Sequence, residues 1–220
     1  MRRRWPAAAS VVLAVAAAVQ VVQAVWIPAK AELAQVLLRR AWLRTGAGGE
    51  RCRPWPWADT WPVARLLLPE QRVELIVLAG ASGATMAFAP GHLDGSAPPG
   101  GDGVSVIAGH RDTHFAVLER LLPGERVLVE TPAGRTHEYV VRSSGVVHEG
   151  DAEALGRAGP GSLVLVTCWP FRGVSPGGDQ RYLVWATAVS SQPAAVSSPA
   201  DLGTTNVACD CDLSTLNLEL

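Results

Sequence analysis

Surplus positive charge is missing from this 220-residue sequence. Its 19 Lys and Arg stand against 20 Asp and Glu, so nothing points to a nucleic-acid partner, whose surfaces call for a basic excess. Cysteine is sparse: Cys52, Cys168, Cys209 and Cys211 are the whole complement. They do not form the regular pattern of a disulfide scaffold. No C-x-x-C pair and no second His/Cys cluster offers a zinc site. No internal repeat is visible, and no acidic loop calls for calcium.

Charge is also absent from Pro6 to Ala29, a run of 24 residues. That is long enough to span a hydrocarbon core of about 30 Å, although its alanines with Gln20 and Gln23 make it only moderately apolar. Arg2, Arg3 and Arg4 precede it, which puts the N-terminus in the cytoplasm by the positive-inside rule. The expectation is a single-pass anchor over residues 1–28 in contact with membrane lipid. In a bacterium the anchor lies in the inner membrane and the rest of the chain is periplasmic. The alternatives are a signal peptide cut after Ala24 in "VQA" and a buried soluble helix. The first two export everything after residue 30.

Residues 29–44, "AKAELAQVLLRRAWLR", read as a helix with Leu33, Leu37 and Ala41 at four-residue spacing and Val36 beside them. It is either a basic helix at a membrane surface or a helix packed on the domain. Glycine and proline then end all periodicity, and residues 29–62 form helix plus linker. Trp55, Trp57 and Trp61 in this linker are read as covering one end of a barrel. From Val63 the texture changes. Eight short β-type runs recur between turn signals: "VARLLL", "VELIVLA", "TMAFA", "VSVIAGH", "ERVLVET", "HEYVVRSSGVV", "SLVLVTC" and "RYLVWATAV". A helical turn interrupts them in "HFAVLERLL". Residues 63–190 are therefore all-β, a closed barrel or a sandwich, and residues 191–220 read as a disordered tail.

Three polar residues end or begin these runs. His110 closes "VSVIAGH", Cys168 closes "LVLVTC", and Arg181 opens "RYLVWA". If the last two strands are antiparallel, Cys168 and Arg181 share one end of the domain, and His110 joins them if its strand ends at the same rim. Such a trio can cleave and remake an acyl bond: a thiolate attacks a carbonyl, an imidazolium protonates the departing amine, and a guanidinium stabilises the oxyanion. From reference values of about 8.5 for Cys and about 6.5 for His, an uncoupled pair favours the neutral form by about 100:1. Coulomb attraction within the pair raises the ionic fraction, and Arg181 helps the thiolate while opposing a charged His. Taken singly, each residue has a plain explanation: a core cysteine, a strand-end histidine, an edge arginine paired with Asp179. Their joint placement favours chemistry. His110 and His114 at i,i+4 lack a third metal ligand, so no metal and no cofactor is called for. Asp112 and His114 are expected to shape the loop, with Asp112 orienting His110. His137 and His148 read as surface strand positions.

At "VIAGHRDTHF", "LVLVTCWPF" and "RYLVWA" the chain resembles the sortases, membrane-anchored cysteine transpeptidases. "AKAELAQVLL" and "PWPWADTWPVARL" make it similar to the Gram-negative class. The resemblance implies an eight-stranded barrel with an N-terminal transmembrane helix and a short amphipathic helix. It implies Cys168 as nucleophile, His110 as general acid and then base, Arg181 as oxyanion stabiliser, and Thr167 in contact with substrate. The implied partners are an exported protein with a C-terminal L-P-x-T-G-like sorting signal and an amine acceptor. The family's T-L-x-T-C is "VLVTC" here, with Val164 in place of the first Thr.

Two rival readings make different demands. A peptidoglycan L,D-transpeptidase calls for an "SHGC"-like setting, which does not occur, and papain-like peptidases place Cys before His. A non-enzymatic β-barrel module requires Cys168 to be sealed and unreactive.

Overall fold

The computed structural model describes residues 5–48, 51–172 and 178–189. Alternation at period two is clearest in β1 (Pro62–Leu68), where every second residue is buried. β1 is followed by β2 (Val73–Ala79), a one-turn helix α2 (Gly83–Met86), β3 (Gly91–His92) and β4 (Ser105–Ala108). A 3-10 turn (Ala116–Arg120), β5 (Arg126–Glu130), β6 (Thr136–His148), α3 (Ala152–Gly156), β7 (Ser162–Cys168) and β8 (Gln180–Ala188) complete the domain. The strands close in the order β1-β2-β3-β4-β7-β8-β6-β5, which decides for the barrel over the sandwich. β2–β3 and β4–β7 are the parallel pairs.

Inward residues of the strands fill the barrel: Leu66 and Leu68, Val127 and Val129, Leu163 and Leu165, Val184 and Ala186. Phe115, Leu118 and Leu121 from the turn after β4 plug it, so "HFAVLERLL" does carry a helical turn. A second apolar layer lies outside β4, β7 and β8. There Val106, Val164, Leu183 and Trp185 pack under Ala154 of α3, and the Trp185 indole donates to the Ala154 carbonyl at 2.7 Å. β7 is covered on both faces, which is why it reads as an unbroken apolar run.

Three expectations need correction. "TMAFA" is not a strand: Ser82 accepts from the Thr85 N–H and caps α2 there. The third strand is instead the two-residue β3, where a Cβ on Gly91 would lie 2.1 Å from the Gly80 carbonyl oxygen. The N-terminal region is one continuous helix, α1 (Trp5–Gly48), with no break between the expected anchor and amphipathic segments. Among the described residues no helix is long and apolar enough to cross a membrane, in keeping with the alanines and glutamines of residues 6–29. The face of α1 that packs on the barrel carries Ala34, Leu38, Ala41 and Trp42, while Leu33 is exposed. The stripe is rotated because Leu38 and Trp42 reach Ile76, Leu78 and Ala89 together with Trp55. Trp55 thus covers the barrel as expected, whereas Trp57 is exposed. Cys52 is buried and disulfide-bonded, and Cys168 is free. The expected tail of residues 191–220, with Cys209 and Cys211, lies outside the described residues.

Candidate active site

Antiparallel pairing of β7 and β8 sets Cys168 directly opposite Arg181. β4 runs parallel to β7 on its other side, from Ser105 beside Leu163 to Ala108 beside Val166. The same offset of 58 continues past the strand, where the Thr167 hydroxyl donates to the Gly109 carbonyl at 2.7 Å. The Gly109 N–H donates to the Val166 carbonyl at 3.1 Å. The ladder itself ends at Ala108 opposite Val166; its offset, extended past Gly109, would set His110 level with Cys168. Three neighbouring chains, each about 4.8 Å from the next, thus carry His110, Cys168 and Arg181 in that order, with Cys168 on the middle one.

Cys168 and Arg181 face outward by strand alternation. Leu163, Leu165 and Thr167 point into the barrel, so Val164, Val166 and Cys168 point out. On β8, Val184 and Ala186 are inside and Leu183 and Trp185 outside, which turns Arg181 outward. On β4, Ile107 is inside and Val106 outside, which turns Ala108 to the same outer face, and His110 follows two residues beyond the strand's end. Cys168 is partly exposed, whereas a non-enzymatic module requires it sealed. Thr167, expected to touch substrate, is 2% exposed and its hydroxyl lies in the barrel interior on Gly109. It ties the histidine chain to the cysteine strand.

The histidine loop turns back sharply, with the Phe115 N–H donating to the His110 carbonyl at 3.0 Å. Phe115 is buried, and a Cβ on Gly109 would approach its ring to 2.9 Å, so glycine is required before His110. Burial, and then the nearby charge of His110, hold His114 below the usual histidine range. The Phe88 carbonyl and Asp112 pull the other way. Asp112, expected to orient His110, acts electrostatically on His114. His137 is half-buried and His148 exposed on β6, as strand positions.

The Arg181 guanidinium is held from several sides. Nη1 donates to the Gly178 carbonyl at 2.5 Å and the Gln180 carbonyl at 3.0 Å, and Nη2 pairs with Glu149 at 2.7 Å. The expected partner was Asp179. Further down the outer face lies an open cleft of about 320 Å³ lined by Leu93, Asp94, Ser96, Val104, Val106 and Leu155. Val106 is four residues before His110 on one face, about 13 Å away in extended chain. Reading the sequence for strands alone passed over this wall. The signal for it is "DAEAL", where Asp151 accepts from the Ala154 N–H and caps α3. Among the described residues no cluster of three or more metal-ligating side chains forms.

The family model for the sortase domain matches residues 66–189, more than half of the chain. Sortase D of Bacillus subtilis (strain 168) is 26% identical over 126 residues, which are 57% of this chain. The match spans 63% of that relative's length. Among solved structures, sortase A from Corynebacterium diphtheriae is 29% identical with a TM-score of 0.54, over 63% of this chain and 65% of that one. Sortase C-1 from Actinomyces oris is 32% identical with a TM-score of 0.52, over 59% and 74%. The Clostridium perfringens sortase D5 transpeptidase, at 18% identity and a TM-score of 0.57, covers 72% of this chain and shares the fold.

Proposed function

Because this chain belongs to the sortase family, we propose that it is a cysteine transpeptidase that cleaves a C-terminal L-P-x-T-G-like sorting signal and passes the acyl group to an amine. The Cys168 thiolate attacks the scissile carbonyl carbon, and the oxygen becomes an oxyanion beside Arg181. Collapse breaks the C–N bond, the departing amine takes its proton from the His110 imidazolium, and a thioacyl enzyme remains. An incoming amine attacks the thioester, gives a proton to His110 and expels the thiolate. Water takes its place when no amine arrives.

One observation carries this reading: the pairing of Cys168 with Arg181, on the strand whose other neighbour, β4, leads into His110. The cleft around Val106 and Leu155 supports the substrate class. It lies three to four extended residues from the thiol, where an aliphatic side chain upstream of the cleaved bond would reach. Membership of the Gram-negative class is part of the proposal and rests on the upstream motifs. So is an extracytoplasmic catalytic domain tethered at the inner membrane, which rests on Arg2, Arg3 and Arg4 before 24 uncharged residues. Protease accessibility of the barrel in spheroplasts checks the sidedness.

The test is a quenched fluorogenic Leu-Pro-Ala-Thr-Gly peptide with a glycine amide acceptor. Cys168→Ala should abolish both cleavage and the thioacyl adduct seen by intact mass, with the fold unchanged. Turnover that survives in that variant would remove the proposal.

A further inference from the structure

The geometry points to Glu149 as a positioning residue for Arg181, an inference that rests on the transpeptidase reading above. Glu149 follows the last residue of β6, and its backbone N–H donates to the Asp179 carbonyl at 2.5 Å. This bond pins the end of β6 to the chain just before Arg181. Val147 pairs with Arg181 across β6 and β8 and packs in the outer apolar layer. Two residues on, Glu149 lies on that same outer face. Its carboxylate meets Nη2 at 2.7 Å.

The chemistry needs a guanidinium already aimed when charge develops on the substrate oxygen. An arginine side chain is long, and holding it has an entropic cost. Here Nη1 is held by the Gly178 and Gln180 carbonyls and one face of the fork by Glu149. The two hydrogen bonds engage Nη1, and the Glu149 carboxylate adds an ion pair at Nη2. The Arg181 side chain is 23% exposed, so it is largely withdrawn from water while Glu149, at 59%, stays solvated. Glu149 also begins the segment that leads through the Asp151 cap into α3, one wall of the cleft.

The experiment uses the full chain with the Leu-Pro-Ala-Thr-Gly peptide and compares Glu149→Ala, Glu149→Gln, Arg181→Gln and the double variant Glu149→Ala/Arg181→Gln. Glu149→Ala should lower kcat by about 10- to 100-fold with little change in KM, as expected when a catalytic donor is misplaced rather than removed. Its melting temperature should match that of the unaltered protein. Glu149→Gln keeps an acceptor oxygen and should recover most of kcat. In the Arg181→Gln background the alanine change should have no further effect, because Glu149 acts through Arg181. An unaltered kcat in Glu149→Ala, or full additivity in the double variant, overturns the inference alone. No turnover by the unaltered chain takes down the transpeptidase reading, and this inference with it.

Discussion

Replacing Thr167 with Val removes one oxygen from the joint between the histidine chain and the cysteine strand. Thr167 is 2% exposed and donates to the Gly109 carbonyl at 2.7 Å. Valine fills the same space but leaves that acceptor short of a donor, at a cost of about 1–3 kcal/mol. The added methyl group returns about 0.8 kcal/mol of burial. The net loss is about 0.2–2.2 kcal/mol, or up to about 9 °C in melting temperature for a chain of this length. From a typical stability of at least about 5 kcal/mol, over 99% of the protein stays folded at 25 °C. Any loss of turnover then reports geometry and not unfolding. Letting Gly109 drift moves His110 relative to the sulfur, and a displacement of 1 Å can cost about 100-fold in rate. We expect at least a tenfold fall in kcat with the sorting peptide, read beside a thermal melt. Thr167→Ser, which keeps the hydroxyl, should retain most activity. Full turnover and an unshifted melt in Thr167→Val would refute the joint, and so would a loss in Thr167→Ser as large as in Thr167→Val, because serine keeps the hydroxyl.

Gly91→Ala should be among the most damaging single changes. Its Cβ would meet the Gly80 carbonyl oxygen at 2.1 Å and the Ala81 Cα at 2.9 Å, backbone atoms that have no rotamer to move into. The two-residue β3 is the link that joins β2 to β4, so we expect a loss beyond the usual ~1–3 kcal/mol of overpacking, seen as poor soluble yield or a strongly lowered melt. A melt like that of the unaltered protein would refute the clash. Acid should also weaken the fold through His114. Its folded value is depressed, so the unfolded chain takes up the proton first. Stability is complete above the ordinary histidine value of about 6.5 and falls as pH drops from there toward the depressed value. Melts from pH 8 to 5 should show a shallower decline in His114→Gln, and an identical decline in both proteins would count against it.

The strands and the three polar residues at their limits could be read early because both depend on local signals, whereas closure into a barrel rested on the family resemblance. β1 and β5 alternate, β7 is a continuous apolar run, and a polar residue at the limit of such a run marks a rim. The third strand gave no such signal, since Gly91 and His92 are two residues with no apolar pattern. The apolar "TMAFA" drew attention away from it, although Ser82 before the segment is a helix cap. The buried face of α1 depends on which residues reach β2, a tertiary fact that helical spacing alone leaves open by one residue.

Glu149 was hidden for a different reason. From Tyr139 to Val141, β6 pairs with β8 in one register; from Ser143 onward it pairs in a register shifted by one, with Arg142 left as the extra residue. The Arg142 side chain bonds the Thr187 hydroxyl at 2.6 Å as the strand passes this point. Without the bulge, Val146 would stand opposite Arg181, Val147 would turn inward and Glu149 would leave the arginine's face. The charge partner of the Arg181 guanidinium is thus set seven residues upstream, by an insertion that leaves no mark in hydropathy. Asp179, two residues before Arg181 in the chain, is the nearer candidate in sequence, but its carbonyl accepts the Glu149 N–H. A register defect selects the more distant carboxylate.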